Sequence, residues 1–132
     1  MRRATNRGRQ GSAVIELAIC LPVLALLTFA SLEGANMLFL RQAVVQSCYE
    51  GAKAAARSNG GQALGRTRAE QVLAARNVNA TSINFSPGNV DNLAQGTPFT
   101  VTVTVSGDAR SITGIGPFNG INITASATMS KE

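Results

Sequence analysis

Residues Ser12 to Leu40 read SAVIELAICLPVLALLTFASLEGANMLFL, and within them the stretch from Leu17 to Leu32 carries no charge. With its flanks, this apolar run reaches the ~20 residues that an α-helix needs to cross a bilayer. Pro22 lies inside the run, at a type of position where membrane helices tolerate proline through local adjustment and packing by neighbours. The stretch therefore predicts a transmembrane helix, which leaves only about 75 to 90 residues for a folded head.

The segment before this helix is basic. Of the twelve Lys and Arg residues, which stand against seven Asp and Glu, four lie in the first eleven positions: Arg2, Arg3, Arg7 and Arg9. No periodic apolar pattern accompanies them, so residues 1–11 are predicted to be a leader peptide without regular structure in water. The next basic residue after the apolar run is Arg41. By the positive-inside rule, this asymmetry places the N-terminus in the cytoplasm and the rest of the chain on the other side.

Composition argues against nucleic-acid binding and catalysis. Without the leader, the formal charge of +5 falls almost to zero, and five Phe, one Tyr and no Trp supply few stacking platforms for bases. The chain has no His and only two thiols, Cys20 and Cys48. We therefore predict no catalytic residues, no metal site, no cofactor and no small-molecule substrate.

The two cysteines are predicted to remain unpaired within one chain. On a continuous helix the 28 positions between them span ~42 Å at about 1.5 Å per residue, whereas a disulfide requires Cα atoms within ~7 Å. Two small buried apolar residues are the simplest interpretation. Pairing of Cys48 between subunits, in an oxidising compartment, stays open at this point.

The helical pattern continues beyond the membrane, with apolar and small residues at roughly four-residue spacing among charged and amide side chains. One helix is predicted over residues 12–58. Asn59-Gly60-Gly61 would end it by supplying residues that adopt positive φ. A second short helix is predicted over residues 66–77, with Thr67 and Glu70 in the spacing of a capping box. The apolar and small residues are Leu40, Val44, Cys48, Ala52 and Ala55.

After the second helix the period changes to two. Apolar residues alternate with Thr, Ser or Asn over Thr81–Ser86, Phe99–Val105 and Ile121–Met129, and Gly, Pro and Asp occur between these segments. This pattern predicts three antiparallel strands, with one face on the helices and a Thr-rich face towards solvent. The fold class is therefore α+β, in which residues 59–132 form a small head.

A single carboxylate stands near the start of the apolar helix, in the sequence Gly11-Ser12-Ala13-Val14-Ile15-Glu16. Even the lenient insertion scales assign ~2.5 to 3.5 kcal/mol to an Asp at the centre of a membrane helix. Glu16, one turn into the helix, costs less but still needs a reason to be there. It is either an interfacial side chain that reaches the cytoplasmic edge, or a functional group.

The basic leader, Gly11, the small residue Ser12, Glu16 and the long apolar helix together resemble the class III signal of type IV pilins and pseudopilins. The resemblance implies that a prepilin peptidase cuts between Gly11 and Ser12 and leaves the helix on the mature protein. It also implies that Glu16 sets subunit register, because the freed Ser12 amine of a neighbouring subunit neutralises it inside a packed helix bundle.

A narrower resemblance, over roughly residues 9–57, is to the TadE-like family of minor pseudopilins in tight-adherence secretion and pilus systems. The residues that carry it are Glu16-Leu17-Ala18, Pro22, Leu24, Glu33, Arg41-Gln42-Ala43 and Glu50-Gly51-Ala52-Lys53-Ala54-Ala55. Leu17, where many relatives have an aromatic residue, and Cys48-Tyr49 depart from the family pattern. The implied protein is a single-pass component of the bacterial inner membrane with a periplasmic head. Its implied partners are a prepilin peptidase, other pilins and pseudopilins, the inner-membrane assembly platform and the lipid bilayer.

Two alternatives use the same helix. One is a plain single-pass anchor, never cut after Gly11, whose head binds a ligand or another envelope protein. The other is a secreted protein whose signal peptide is cut after Ala30, although the run is long for such a segment and contains Glu16. A separate motif, GGQALGRT at residues 60–67, is one substitution from the sequence pattern of a phosphate-binding loop. We reject a nucleotide site there because a helix precedes it where a strand is required.

Overall fold

A computed structural model of the protein describes residues 7–110 and 120–132. Two helices are followed by a three-stranded antiparallel sheet of order β1-β2-β3, which confirms the predicted α+β fold. The elements are α1 (Arg7–Ala56), α2 (Gln62–Ala74), β1 (Ser82–Ser86), β2 (Pro98–Ser106) and β3 (Asn122–Ser130), with short 3-10 turns at Val90–Asn92 and Gly107–Arg110.

The chain forms two compact units, an N-terminal unit of residues 1–34 and a C-terminal unit of residues 35–132. Residues 35–56 of α1 therefore belong to the C-terminal unit. At its other end, α1 begins at Arg7, so the last residues of the predicted leader are helical. Once a helix has formed, adding residues to it costs little, and no proline separates Arg7 from the apolar run.

The core of the C-terminal unit lies between the helices and one face of the sheet. The α1 residues that enter it recur every three to four positions, which is the spacing of one helix face. Alternate residues of β1 and β2 enter it from the sheet, as period-two patterning predicts. The buried apolar residues are Leu40, Ala43, Val44, Cys48, Ala52, Ala55 and Ala56 from α1, Ala69 and Leu73 from α2, Ile83, Phe85, Phe99, Val101, Val103 and Val105 from the sheet, and Val78 and Val90 from the connecting segments.

Two glycines allow α1 and α2 to pack closely. A Cβ at Gly65 would lie 2.8 Å from both the Ala55 Cβ and the Gly51 carbonyl oxygen. A Cβ at Gly51 would lie 3.0 Å from the Ala69 Cβ. Beside this crossing, the buried Ser47 hydroxyl donates to the Ala69 carbonyl at 3.0 Å, so its polar group is satisfied inside the core.

The start of α2 differs from its prediction. The helix begins at Gln62, whose N–H donates to Asp91 Oδ1 at 2.8 Å. Thr67 instead lies within the helix and donates to the Ala63 carbonyl at 3.0 Å. The predicted capping box is therefore wrong, because a carboxylate from a later loop satisfies the first turn. Residues 60–67 follow α1 and lead into α2, so a helix precedes this segment, as the sequence predicts.

The linker glycines are needed for a different reason from the predicted one. Among the described residues, positive φ occurs at Asn77, Gly96 and Gly120, and not at Gly60. At Gly60 a Cβ would collide with the Ala54 carbonyl oxygen, so glycine is required by close approach of the backbone. It is Asn77, at φ 54°, that ends a helix in the left-handed conformation, with Val78 N–H bonded to the Leu73 carbonyl.

Candidate processing and assembly site

The predicted processing residues lie together near the start of α1. Gly11 has open space where a side chain would be, with nothing within 4 Å of an added Cβ. Ser12 and Glu16 are exposed, and the Ser12 hydroxyl donates to Glu16 Oε1 at 3.2 Å. The four-residue spacing places the two side chains on one helix face. The side chain of Ser12 and the carboxylate of Glu16 are therefore close enough to form a hydrogen bond.

The helix around this site exposes its apolar side chains on every side. Eleven large apolar residues between positions 14 and 32 are each 53–70% exposed: Val14, Ile15, Leu17, Ile19, Leu21, Val23, Leu24, Leu26, Leu27, Phe29 and Leu32. The segment is long and apolar enough to cross a membrane, and none of its most apolar window is buried. An unburied apolar surface of this extent suits membrane anchoring, because water would be a poor solvent for it.

Hydroxyl groups inside the apolar segment are satisfied by their own helix. Thr28 Oγ1 donates to the Leu24 and Ala25 carbonyls at 3.1 and 2.8 Å, and Ser31 Oγ donates to the Leu27 carbonyl at 2.8 Å. They therefore need no partner outside the helix, which removes most of the cost of placing them in lipid. Glu16 differs from them because it is a carboxylate, and a hydrogen bond from a hydroxyl does not neutralise a carboxylate.

Cys48 is a core residue, as predicted. Its side chain is 1% exposed and its Sγ donates to the Ala125 carbonyl on β3 at 3.0 Å. Burial raises the pKa of the thiol above its ordinary value of 9.0. A disulfide to another subunit would require the C-terminal unit to open, so the arrangement argues against that alternative. Cys20 is a free, exposed thiol in the apolar segment.

Residues 11–53 match the model of the TadE-like protein family. This segment is TadE-like. The finding confirms the resemblance carried by Gly11 to Lys53. No curated protein and no solved structure matches the chain.

The TadE-like segment covers about a third of the chain and contributes to both units. In the N-terminal unit it contains Gly11, Ser12 and Glu16. In the C-terminal unit it supplies the small buried residues Ala43 and Ala52, whereas Arg41, Gln42 and Lys53 are exposed. It ends before α2 and the sheet begin. The specificity of those later elements is therefore outside the match.

Sequence reasoning missed three residues that hold the C-terminal unit together. Asp91 caps α2, Gly65 makes the helix crossing possible, and Lys131 lies against the C-terminal end of α1. Each acts on a segment far away in the sequence, so local patterns gave no signal. In the described part of the chain, no three His, Cys, Asp or Glu side chains lie close enough together to hold a metal ion.

Proposed function

We propose that this chain is a minor pseudopilin of a tight-adherence pilus or secretion system, processed by a prepilin peptidase after Gly11. The observation that carries the proposal is the TadE-like match, which begins at Gly11 and includes Ser12 and Glu16. In this role the chain is a structural and assembly component of the bacterial inner membrane. Its N-terminus is cytoplasmic and the head is periplasmic.

Cleavage would change the electrostatics of the site. Before it, Ser12 has a neutral peptide nitrogen, and Glu16 accepts only the Ser12 hydroxyl in the described structure. Cutting the Gly11–Ser12 bond creates a positively charged amine at Ser12. In an assembled helix bundle, the amine of one subunit would neutralise Glu16 of its neighbour, and a charge pair in a low-dielectric bundle fixes register because leaving either member unpaired is costly.

The exposed apolar side chains support the same role. Lipid would cover them before assembly, and other pilin helices would cover them afterwards. The apolar part of the helix therefore does not have to be buried inside the fold of its own chain. The move of the helix from lipid into an assembled bundle requires the assembly platform and the other pilins and pseudopilins as partners.

The deciding measurement is the N-terminal residue and intact mass of the full chain, extracted from membranes with and without a co-expressed prepilin peptidase. We expect a chain that begins at Ser12 only when the peptidase is present. Gly11→Val should abolish this cleavage. Gly34→Val is the matched control, because Gly34 also lies in α1 with open space around it.

The other outcomes identify the competing functions. A chain that begins at or near Met1 in both samples would contradict processing and favour an uncleaved membrane anchor. A chain that begins near Ser31 would indicate a secreted protein with an ordinary signal peptide. Equal cleavage of the Gly11 and Gly34 variants would remove the role given to Gly11.

A further inference from the structure

The two edges of the sheet are protected differently. At β1, which has five residues, the Arg66 guanidinium donates to the Ile83 carbonyl at 2.9 Å, so one backbone group of this strand already has a side-chain partner. β3 has nine residues and pairs with β2 on one side. No described residue pairs with its other side. The sheet therefore has one short edge, where Arg66 bonds a carbonyl group, and one longer, open edge.

The hydrogen bonds that flank the β2–β3 pair show which backbone groups point outward. Gly107 N–H donates to the Ile121 carbonyl at 2.7 Å, and Lys131 N–H donates to the Thr97 carbonyl at 3.0 Å. Opposite residues in an antiparallel pair alternate between bonded and non-bonded pairs. Because the odd-numbered residues of β3 bond to β2, the N–H and C=O groups of the even-numbered residues of β3 face the open edge. These residues are Asn122, Thr124, Ser126, Thr128 and Ser130.

The open edge lacks the usual obstacles to strand addition. Natural edge strands carry charged side chains, proline or bulges that prevent pairing with another chain. The sequence from Asn122 to Ser130 contains no charged residue and no proline. The adjacent Lys131 does not protect the edge, because its Nζ donates to the Ala55 and Arg57 carbonyls.

The β3 sequence, NITASATMS, is nearly palindromic about Ser126. Its neighbours are alanines, the next pair are threonines, the third pair are the apolar residues Ile123 and Met129, and the outer pair are Asn122 and Ser130. A twofold interface brings residue i against residue j and j against i, so it requires a self-complementary surface. A palindromic strand satisfies this requirement when it pairs with its own copy in the antiparallel direction.

The backbone geometry agrees with this register. Ser126 is even-numbered, so its outward N–H and C=O groups would meet those of Ser126 in a second copy as a bonded pair. Five such pairs along the strand would form about ten hydrogen bonds. On the solvent face, Thr124 would lie opposite Thr128 of the copy. This pair would extend two existing rows, in which the Oγ1 atoms of Thr100 and Thr128 lie 2.8 Å apart and those of Thr104 and Thr124 lie 3.1 Å apart.

The inner face of β3 also favours pairing. Its apolar residues Ile123, Ala125, Ala127 and Met129 pack against the core but are only partly buried, in contrast to the fully buried valines of β2. A fourth strand would cover their outer side with the same four side chains of the copy. We propose that β3 is a self-association edge, through which two copies of this chain pair antiparallel about Ser126 and join their sheets into one of six strands.

Cysteine cross-linking of the full chain in membranes tests this register. In a Cys20→Ser background, Ser126→Cys would place two thiols opposite each other at a Cα separation of about 5.5 Å, which a disulfide spans. Asn84→Cys is the matched control, because Asn84 lies in the same row of the sheet, Asn84↔Thr102↔Ser126, on the far strand. Its separation from its copy would be about 24 Å at ~4.8 Å per strand. We expect a disulfide-linked dimer for Ser126→Cys and none for Asn84→Cys.

A second variant tests the edge without an engineered bond. Ser126→Lys would place two like charges opposite each other, whereas Asn84→Lys changes the other edge. We expect the full chain in detergent micelles to have the mass of a dimer, which Ser126→Lys converts to a monomer and Asn84→Lys does not. A monomeric parent chain, a dimer that persists in Ser126→Lys, or equal cross-linking at both cysteine positions would each overturn the proposal.

Discussion

The ammonium of Lys131 lies 3.1 Å from the carbonyl oxygen of Ala55, although 76 positions separate the two residues. The same group donates to the Arg57 carbonyl at 3.1 Å, and the Glu132 N–H donates to the Ala56 carbonyl at 2.8 Å. The last carbonyl groups of a helix have no partner within the helix and attract positive charge. The residues that follow β3 therefore satisfy the C-terminal end of α1.

Replacement of this lysine should destabilise the C-terminal unit. Lys131→Met retains the aliphatic part of the side chain but removes two charge-assisted hydrogen bonds at a site that is 9% exposed. We expect a loss of about 1–3 kcal/mol in the free energy of unfolding, measured with denaturant on the full chain in detergent. Lys53→Met is the control, because Lys53 belongs to the last turn of α1, which Lys131 contacts, but its own side chain is exposed. Equal losses for the two variants would contradict this role.

The cap of α2 separates the structure from the local sequence pattern. Asp91→Ala should lower the free energy of unfolding by about 1 kcal/mol, because the Gln62 N–H loses its carboxylate acceptor. Glu70→Ala, at the position where a capping box would place its second member, should have little effect. Thermal unfolding of the two variants under one condition checks this order. A larger effect at Glu70 would restore the capping box.

The helix crossing should tolerate no side chain at Gly65. Gly65→Ala places a Cβ 2.8 Å from the Ala55 Cβ and the Gly51 carbonyl oxygen, so the helices must separate. We expect a loss of about 1–3 kcal/mol in denaturant unfolding, despite the better helix propensity of alanine. Gly34→Ala, where nothing lies within 4 Å, should show no loss. A Gly65 variant that is as stable as the parent would mean that the crossing adjusts without cost.

Stability should fall at high pH because of Cys48. Burial raises the pKa of its thiol above 9.0, so the folded chain holds this proton more tightly than the unfolded chain. The stabilisation is complete below the unfolded pKa and is lost as the pH rises through the folded pKa. We expect the free energy of unfolding to decrease above about pH 9 more steeply in the parent chain than in Cys48→Ala. Parallel profiles would show that Cys48 does not titrate differently in the two states.

The proposed role of Glu16 predicts a defect confined to assembly. Glu16→Gln removes the charge that a neighbouring Ser12 amine would neutralise, so pili should be lost while membrane insertion and cleavage after Gly11 persist. Electron microscopy of pili together with the mass of the membrane form measures both properties. Thr28→Val is the control, since Thr28 already donates to its own helix. Normal pili in the Glu16 variant would contradict the assigned role.

Local patterns predicted the elements of this fold because each pattern reflects a local cause. The alternation of valine and threonine in β2 places one set of residues in the core and the other on the solvent face, and the structure has this arrangement. The uncharged stretch from Leu17 to Leu32 likewise gave the apolar part of α1. The resemblance to TadE-like proteins over residues 11–53 also followed from local motifs, because Gly11, Glu16 and the small residues near Lys53 lie in one continuous segment.

The remaining contacts depend on residues that only the tertiary fold brings together. A lysine after a strand is usually a solvent-exposed residue, and nothing near Lys131 indicates that it reaches Ala55. Asp91 follows a loop pattern, and its acceptor role depends on where that loop passes α2. The same reason explains why the end of α1 was predicted from glycine conformations, whereas the structure shows that Gly60 is needed to avoid the Ala54 carbonyl.

The contact between Lys131 and α1 also has a consequence for the order of folding. Because synthesis runs from the N-terminus, the last turn of α1 is synthesised long before Lys131, and its carbonyl groups lack this partner during that interval. Contacts between residues far apart in the sequence slow folding, because the intervening chain must first be ordered. We therefore expect the C-terminal unit to close in one late step, which begins only after its final strand has been synthesised.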